Sequence, residues 1–153
     1  PEREAERARL TEVAQFFREY GDRYSMDWLL LAAQAYQESG LDQDARSHVG
    51  AIGIMQVMPA TARDPRVGIP DIHKVDRNIE AGTKYMRFVI DRYYADEPMT
   101  RVDKGLFALA SYNAGPARVA KLRAEAEKIG LDPNVWFQNV EVVAARRVGA
   151  ETV

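Results

Sequence analysis

The stretch "LLLAAQAYQESG", residues 29–40, decides the fold class of this chain. Its residues are apolar almost all the way round a helix, which is typical of a helix at the centre of a fold. Gly40 is a stop signal, because glycine readily takes the left-handed conformation that follows many helices. Glu38 nevertheless places a carboxylate in the last turn of this apolar segment, so its presence there needs a chemical reason.

The rest of the sequence also predicts helices joined by loops, so the expected fold class is all-α. Apolar residues recur at spacings of three and four over residues 3–20, 76–94 and 102–113. A further helix is expected over residues 116–130, and a last one begins after "LDPN" at 131–134. No segment shows the alternation that is typical of a strand.

Small and polar residues predict where the first helices begin and end. We expect Gly21 to end the first helix and Ser25 or Asp27 to cap the second. Asp76 or Asn78 should cap the long helix in the middle of the chain.

Composition limits the classes of function. The chain has 153 residues, of which 46% are hydrophobic and 29% charged, and its net charge of -2 gives no argument for a nucleic-acid or membrane-surface partner. It contains no cysteine, which excludes disulfides, thiolate nucleophiles and cysteine-based zinc sites. No apolar run approaches the roughly 18 residues of a membrane span, so no membrane insertion is expected.

The chain begins with "PEREAERARL" and therefore lacks a signal peptide as written. Together with the end at "GAETV", this start suggests a domain excised from a longer protein. We expect residues 1–153 to form a single domain, with 1–22 as an N-terminal packing helix and 23–153 as the core.

The surroundings predicted for Glu38 favour its protonated form. An apolar helix keeps water from the carboxylate, and the last turn of a helix carries unpaired carbonyls with a partial negative charge. Both effects raise the pKa of a carboxyl group. A carboxylic acid that keeps its proton near neutral pH can act as the general acid of glycoside cleavage. A lone glutamate at a helix end is more often a solvated residue or half of an ion pair, so other motifs must decide.

A long loop over residues 41–70, with one short helix near 59–63, supplies further candidate residues. Loops of this length in a small domain are often functional. Gly50 and Gly53 permit close backbone approach, and "MQ" at residues 55–56 offers an apolar wall and an amide.

A second candidate pair ends the helix that precedes Gly115 and Pro116. Tyr112 and Asn113 can point a phenol and an amide into a cleft, where they would hydrogen-bond an N-acetyl group or a hydroxyl. Taken alone, each of these motifs is more often a turn, a cap or a core residue than part of a site.

Taken in order along the chain, the motifs resemble the catalytic domain of the soluble lytic transglycosylases. The matching segments are Glu38-Ser39, the run Gly50 to Gln56 followed by "MPATA", Asn78-Ile79 with Gly82, and "YNAGP" at residues 112–116. The resemblance covers the chain from about residue 25 to its C terminus. The closing "WFQNVEVVAARRVGAETV" resembles the membrane-bound lytic transglycosylase F subgroup, in which a solute-binding-like module precedes this domain.

The resemblance implies a lysozyme-like helical fold, similar to goose-type lysozyme, with a cleft for the glycan strands of peptidoglycan. It implies cleavage of the β-1,4 bond between N-acetylmuramic acid and N-acetylglucosamine, with attack by the muramyl C6 hydroxyl and formation of 1,6-anhydromuramyl ends. No cofactor and no metal are required. A periplasmic location follows from the substrate, and the full-length protein would be attached to the outer membrane.

The resemblance also assigns roles to individual residues. Glu38 would be the single catalytic acid and base. Ser39 would place its hydroxyl beside the acid and the substrate, and Met55 and Gln56 would line the cleft. Tyr112 would hydrogen-bond near Glu38 and tune or orient it, and Asn113 would hold an N-acetyl or hydroxyl group of the substrate.

Other matched positions are expected to be structural, and two positions depart from the family pattern. We expect Asn78 to be a helix cap and Gly82 to allow a close helix contact. Family members usually continue with a further tyrosine-containing segment, so a C-terminal tail is expected to be missing here. Ser111 replaces the alanine more usual before the Tyr-Asn pair.

Two other functions remain open from the residues. Asp42 or Asp44 could supply the second carboxylate of a lysozyme-type hydrolase, although "LDQDARS" is typical of a solvated turn. The domain could also bind glycan without cutting it. His48 and His73 have no matching set of ligands in the sequence, so a metal site is not expected.

Overall fold

The computed structural model describes the backbone of residues 1–152 and the side chains of residues 1–149, and it confirms the all-α class. These residues form seven α-helices, which we number in chain order: α1 Glu2–Tyr24, α2 Trp28–Ser39, α3 Pro59–Arg63, α4 Val75–Val89, α5 Arg101–Ala114, α6 Pro116–Lys128 and α7 Glu141–Thr152. A π-helical turn, Ile90–Tyr94, follows α4, and an irregular segment, Trp136–Val140, precedes α7. Within residues 1–152 the only β pairing is isolated bridges.

The chain divides into two compact units. The first, Pro1–Phe88, holds α1 to α3 and all but the last residue of α4. The second begins at Val89 and holds α5 to α7. The largest fully buried side chains of the first unit are Phe17, Leu31, Gln34, Ile54, Met55, Val67, Ile72, Ile79 and Met86, and those of the second are Val89, Phe107 and Val119.

The first helix continues past Gly21, where the sequence predicted its end. It stops at Ser25, which takes the left-handed conformation with φ 57°. A Cβ atom on Gly21 would lie 2.8 Å from the Met26 carbonyl oxygen and 3.2 Å from the Trp28 Cβ. This glycine therefore permits a close turn into α2 and does not end the helix. Of the two predicted caps of α2, Asp27 is correct, since its side chain accepts a hydrogen bond from the Leu29 N–H.

Helix α2 ends where the sequence predicted, but it is not buried all round. Gly40 closes it in the left-handed conformation, with its N–H donating to the Tyr36 carbonyl at 2.8 Å. Leu29 is 60% exposed and Tyr36 50% exposed, whereas Gln34 is only 2% exposed. Apolar content alone therefore predicted the buried face incorrectly.

A buried carboxylate joins α1 to α4. Glu80 accepts hydrogen bonds from the Tyr24 hydroxyl at 2.7 Å, from Arg77 at 2.8 Å and from Arg23 at 3.0 Å. Burial by itself would raise the pKa of Glu80, but the hydrogen bonds from Tyr24, Arg77 and Arg23 outweigh it and hold the pKa below its ordinary value. Glu80 is therefore an ionised anchor between the two helices.

A buried asparagine holds the loop that follows α2. Helix α4 begins at Val75, before either predicted cap, so Asn78 lies within its first turn. The Asn78 amide donates to the carbonyls of Ile52 at 2.8 Å and Ile72 at 2.9 Å, and its oxygen accepts from the Met55 N–H at 2.9 Å. The expected cap is instead a clamp on two segments of loop backbone.

Two glycines make room for side chains around this loop, one for the Asn78 clamp and one for Met55. A Cβ atom on Gly53, which has φ +82°, would lie 2.4 Å from the Asn78 side-chain nitrogen and 2.7 Å from the Gln43 side-chain oxygen. A Cβ atom on Gly82 would lie 2.9 to 3.0 Å from atoms of the Met55 side chain. The close contact predicted for Gly82 is therefore confirmed, and its partner is Met55.

Two boundaries in the second unit test the sequence predictions. Gly115 separates α5 from α6, with Pro116 at the first helical position, as predicted. The last α-helix begins only at Glu141, later than predicted. The delay arises because Phe137 has an extended ψ of 132° and Gln138 a left-handed φ of 62°, neither of which continues a helix.

Ser111 has a specific partner in the second unit. Its hydroxyl lies 2.7 Å from the hydroxyl of Tyr94, and both residues are buried, with exposures of 2%. A buried hydroxyl without a partner is costly, so the serine satisfies the phenol.

We predict that Glu80→Gln lowers the free energy of unfolding by about 2 kcal/mol at neutral pH, because two guanidinium groups lose their charged partner. The folded-state pKa of Glu80 lies below the unfolded value, so this stabilisation is present above the unfolded pKa and is lost as the pH falls through the folded one. Denaturant unfolding at a series of pH values measures it. Glu19→Gln is the control, because the Glu19–Arg23 pair is exposed and should contribute little. Equal effects of the two substitutions would contradict the prediction.

We predict that Gly53→Ala destabilises the first unit by about 2 kcal/mol or more, since it combines left-handed strain with a clash against the clamp. Gly50→Ala is the matched control, because Gly50 also has a positive φ, of +96°, but nothing lies within 4 Å of its added Cβ. Thermal unfolding of both variants separates strain from clash. A Gly53 variant no less stable than the Gly50 variant would show that the clamp tolerates the extra atom.

Candidate active site

Glu38 lies half-buried in the last turn of α2. Burial raises the pKa of its carboxyl group above the ordinary value, and a hydrogen bond from Gln34 offsets part of that rise. The Gln34 side-chain nitrogen donates to Glu38 Oε1 at 2.9 Å. The direction of the pKa shift that the sequence predicted is therefore confirmed. The group is chemically able to hold a proton at a higher pH than an ordinary glutamate.

Ser39 uses its hydroxyl to hold the loop beside Glu38. The Ser39 Oγ lies 2.7 Å from the Ile54 carbonyl and 3.1 Å from the Ala35 carbonyl, and it accepts a hydrogen bond from the Asp42 N–H. These bonds tie the end of α2 to the loop at Ile54. The geometry thus gives Ser39 a role in fixing the backbone around the carboxyl group.

Met55 and Gln56 lie in the same loop, where the Met55 N–H donates to the Asn78 side-chain oxygen. Met55 has no exposed surface, and its side chain packs on Gly82. Gln56 is half-buried and takes a left-handed φ of 49°, which is uncommon for a residue with a side chain. Its amide donates to the carbonyls of Gly53 at 2.8 Å and Ala45 at 3.2 Å. The strained backbone at Gln56 is held by its own side chain.

Tyr112 and Asn113 lie in the last turn of α5, in the second unit. Tyr112 is half-buried and Asn113 is exposed. Gly115, with φ 90°, ends the helix directly after them. The structure therefore places Glu38, Ser39, Met55 and Gln56 together in the first unit, and the Tyr-Asn pair at a helix end in the second.

The residues considered for other chemistry lie on the surface. Asp42 and Asp44 are exposed and belong to a tight turn, in which the Asp42 carboxylate accepts from the Asp44 N–H at 2.9 Å. His48 is also exposed. Within the part of the chain that the structure describes, no group of three or more His, Asp or Glu side chains is arranged to hold a metal ion. No described helix combines the length and the apolar character that a membrane crossing needs.

The sequence analysis missed Gln34 as a member of this site. One signal was available, because Gln34 stands four residues before Glu38 and therefore shares its helix face. An amide at that position of an otherwise apolar helix is a polar group that needs a partner.

The model of the Transglycosylase SLT domain family matches residues 15–132, which is most of the chain. Proteins named membrane-bound lytic murein transglycosylase F are similar to this chain over most of its length. The protein from Desulfosudis oleivorans is 37% identical over 140 residues, covering 91% of this chain and 30% of its own length. The protein from Maricaulis maris is 36% identical over 135 residues, covering 88% and 29%.

A solved structure agrees with these relatives. The lytic transglycosylase Slt from Pseudomonas aeruginosa, solved as an inactive glutamate-to-glutamine mutant, is 29% identical, with a TM-score of 0.56 over 71% of this chain and 17% of its own. The expected lysozyme-like helical fold is therefore confirmed. The chain spans less than a third of the length of these relatives. On the family match and on relatives above 30% identity, the chain belongs to the transglycosylase SLT domain family.

Proposed function

We propose that this chain is the catalytic domain of a peptidoglycan lytic transglycosylase. It cleaves the β-1,4 bond between N-acetylmuramic acid and N-acetylglucosamine and leaves 1,6-anhydromuramyl ends. The observation that carries the proposal is Glu38, a half-buried carboxyl group with a raised pKa, within the segment that the family model matches. The relatives named as lytic murein transglycosylases support the substrate class.

In the proposed reaction, one carboxyl group performs both proton transfers. Glu38 first donates its proton to the glycosidic oxygen, so that the bond to the muramyl C1 breaks and N-acetylglucosamine leaves as the alcohol. The muramyl C6 hydroxyl then attacks C1, and the Glu38 carboxylate takes the hydroxyl proton. The substrate thus supplies the nucleophile, so the second carboxylate of an ordinary glycosidase is not needed. The raised pKa serves this cycle because the acid form must persist near the working pH.

The other residues support Glu38 in the proposal. Ser39 fixes the loop beside the acid through its bond to the Ile54 carbonyl. Met55 packs on Gly82 and so anchors the same loop to α4. Gln56 is half-buried and lines the cleft. In the second unit, Tyr112 and Asn113 bind the sugar, and Asn113 holds an N-acetyl or hydroxyl group. These residues lie within the segment that the family model matches. Gln56 and Tyr112 are half-buried and Asn113 is exposed, which supports their assignment to substrate binding.

The full-length protein extends the proposal. The relatives are more than three times as long as their matched segment, which leaves room for a solute-binding-like module before this domain. Their names describe them as membrane-bound. We therefore propose a periplasmic protein attached to the outer membrane, acting on glycan strands of peptidoglycan.

We predict that the wild-type chain releases soluble muropeptides with anhydromuramyl ends from purified peptidoglycan, and that Glu38→Gln releases none above background. The amide cannot donate the proton that the leaving oxygen needs. Mass spectrometry distinguishes the anhydro product from a reducing-end product by the mass of one water. An Asp42→Asn, Asp44→Asn double variant should retain full activity, because both side chains lie on an exposed turn.

Two other outcomes would replace the proposal. Reducing-end products that disappear in the double aspartate variant would identify a lysozyme-type hydrolase with a second carboxylate. Binding to insoluble peptidoglycan without any soluble product would identify a glycan-binding module.

We also predict that Glu38→Gln is more stable than the wild type at neutral pH. The folded-state pKa of Glu38 is raised, so its contribution to stability is fully present below the unfolded pKa and is lost as the pH rises through the folded one. Above that pH the wild type carries a partly desolvated carboxylate that glutamine lacks. Thermal unfolding at acidic and neutral pH measures the difference, which should vanish in acid. A destabilised variant at neutral pH would contradict the burial argument and would weaken its use as an activity control.

A further inference from the structure

Gln34 is a buried amide on the same helix face as the proposed acid. It is 2% exposed, and its side chain lies one helical turn before Glu38. Pairs of this spacing on a helix surface stabilise a helix only weakly. This pair differs because the amide has been withdrawn from water, where the loss of a hydrogen bond is costly. An apolar side chain would fill the position without that risk.

We propose that Gln34 is a positioning residue of the site: it holds Glu38 Oε1 as a hydrogen-bond acceptor throughout the reaction and so directs the transferred proton to Oε2. The inference rests on the transglycosylase function proposed above. It assigns each oxygen of the carboxyl group a separate task. Oε1 accepts from the Gln34 side chain, and Oε2 exchanges the proton with the sugar oxygens.

The chemistry of an amide donor fits both halves of the reaction. When Glu38 is a neutral acid with its proton on Oε2, Oε1 is the carbonyl oxygen and still accepts from Gln34. When Glu38 is a carboxylate, the same bond becomes charge-assisted and stronger. The bond at 2.9 Å therefore survives proton loss and proton return without movement of either side chain.

A neutral donor also preserves the acid. A lysine or arginine at position 34 would stabilise the carboxylate by its charge and lower the pKa strongly. Burial and the Gln34 hydrogen bond are the two causes of the Glu38 shift, and no charged side chain of the first unit is among them. The charged side chains near the end of α2 have other partners or are exposed. Glu6 accepts from the Tyr36 hydroxyl, Arg9 donates to the Gly40 carbonyl, and Arg46 donates to the Gln43 and Ala45 carbonyls. Asp42, Asp44 and His48 are exposed.

The kinetic test replaces Gln34 by methionine, which has a similar length and no donor. Gln37→Met is the matched control, because Gln37 is the same residue type on the same helix but is exposed. We expect Gln34→Met to lower kcat about tenfold with KM changed less than about twofold, since the acid loses its orientation but the cleft remains. The high-pH limb of the rate profile should move to higher pH, because the bond that lowers the Glu38 pKa is gone. The control should match the wild type in both respects.

A titration by NMR tests the same inference without turnover. The Glu38 carboxyl carbon should titrate at a higher pH in Gln34→Met than in the wild type, and at the wild-type pH in Gln37→Met. A variant that is less active but has an unchanged Glu38 titration and pH profile would show a merely structural role and would overturn the proposal. If the wild type released no product, the proposed function would fail, and the titration would still decide the Gln34 bond.

A measurement on the unmodified protein covers the case in which the variant does not fold. The Gln34 side-chain amide proton should stay shifted downfield on both sides of the Glu38 titration and should change with the same midpoint. Its pH dependence should disappear in Glu38→Gln. A Gln34 amide chemical shift that does not change as Glu38 titrates would refute the assignment.

Discussion

The first unit depends on one buried side chain, the amide of Asn78. Backbone groups in a loop that lies under other structure must find partners, because water cannot reach them. Asn78 supplies two donors and an acceptor to the backbone of Ile52, Met55 and Ile72. Gln43 repeats the arrangement, accepting from the Ile54 N–H and donating to the carbonyl of Ile72. The loop beside the proposed acid is thus shaped by amides where regular secondary structure is absent.

Two glutamates of the first unit show how donors decide the state of a buried carboxyl group. Glu80 is the more buried, yet its pKa is lowered, because two guanidinium groups and a phenol donate to it. Glu38 is less buried, yet its pKa is raised, because a single neutral amide only partly offsets desolvation. The first arrangement suits an anchor between helices. The second suits a group that must exchange a proton, at some cost to stability.

The sequence predicted those features that depend on local pattern and motif order. Periodicity gave the helices, Gly40 and Gly115 marked two of their ends, and the ordered motifs placed the chain in its family. Gly21, Asn78 and Gln34 were misread or missed because their roles depend on residues distant in sequence or on which helix face is buried. A glycine that stops a helix and one that admits a neighbouring backbone look the same in a single sequence. The start of α7 was placed too early because nothing in the apolar pattern reveals the positive φ at Gln138.

The hydrogen bond between Ser111 and Tyr94 determines which substitutions at these two positions the domain can accept without losing stability. Its hydroxyl and that of Tyr94 satisfy each other in the interior of the second unit, so neither can lose its oxygen alone without stranding the other. Losing both together, as alanine and phenylalanine, removes a donor and an acceptor in one step and leaves an apolar interior. The two positions should therefore change together in evolution. The single variants, which keep one hydroxyl without its partner, should be less stable than either the Ser–Tyr pair or the Ala–Phe pair.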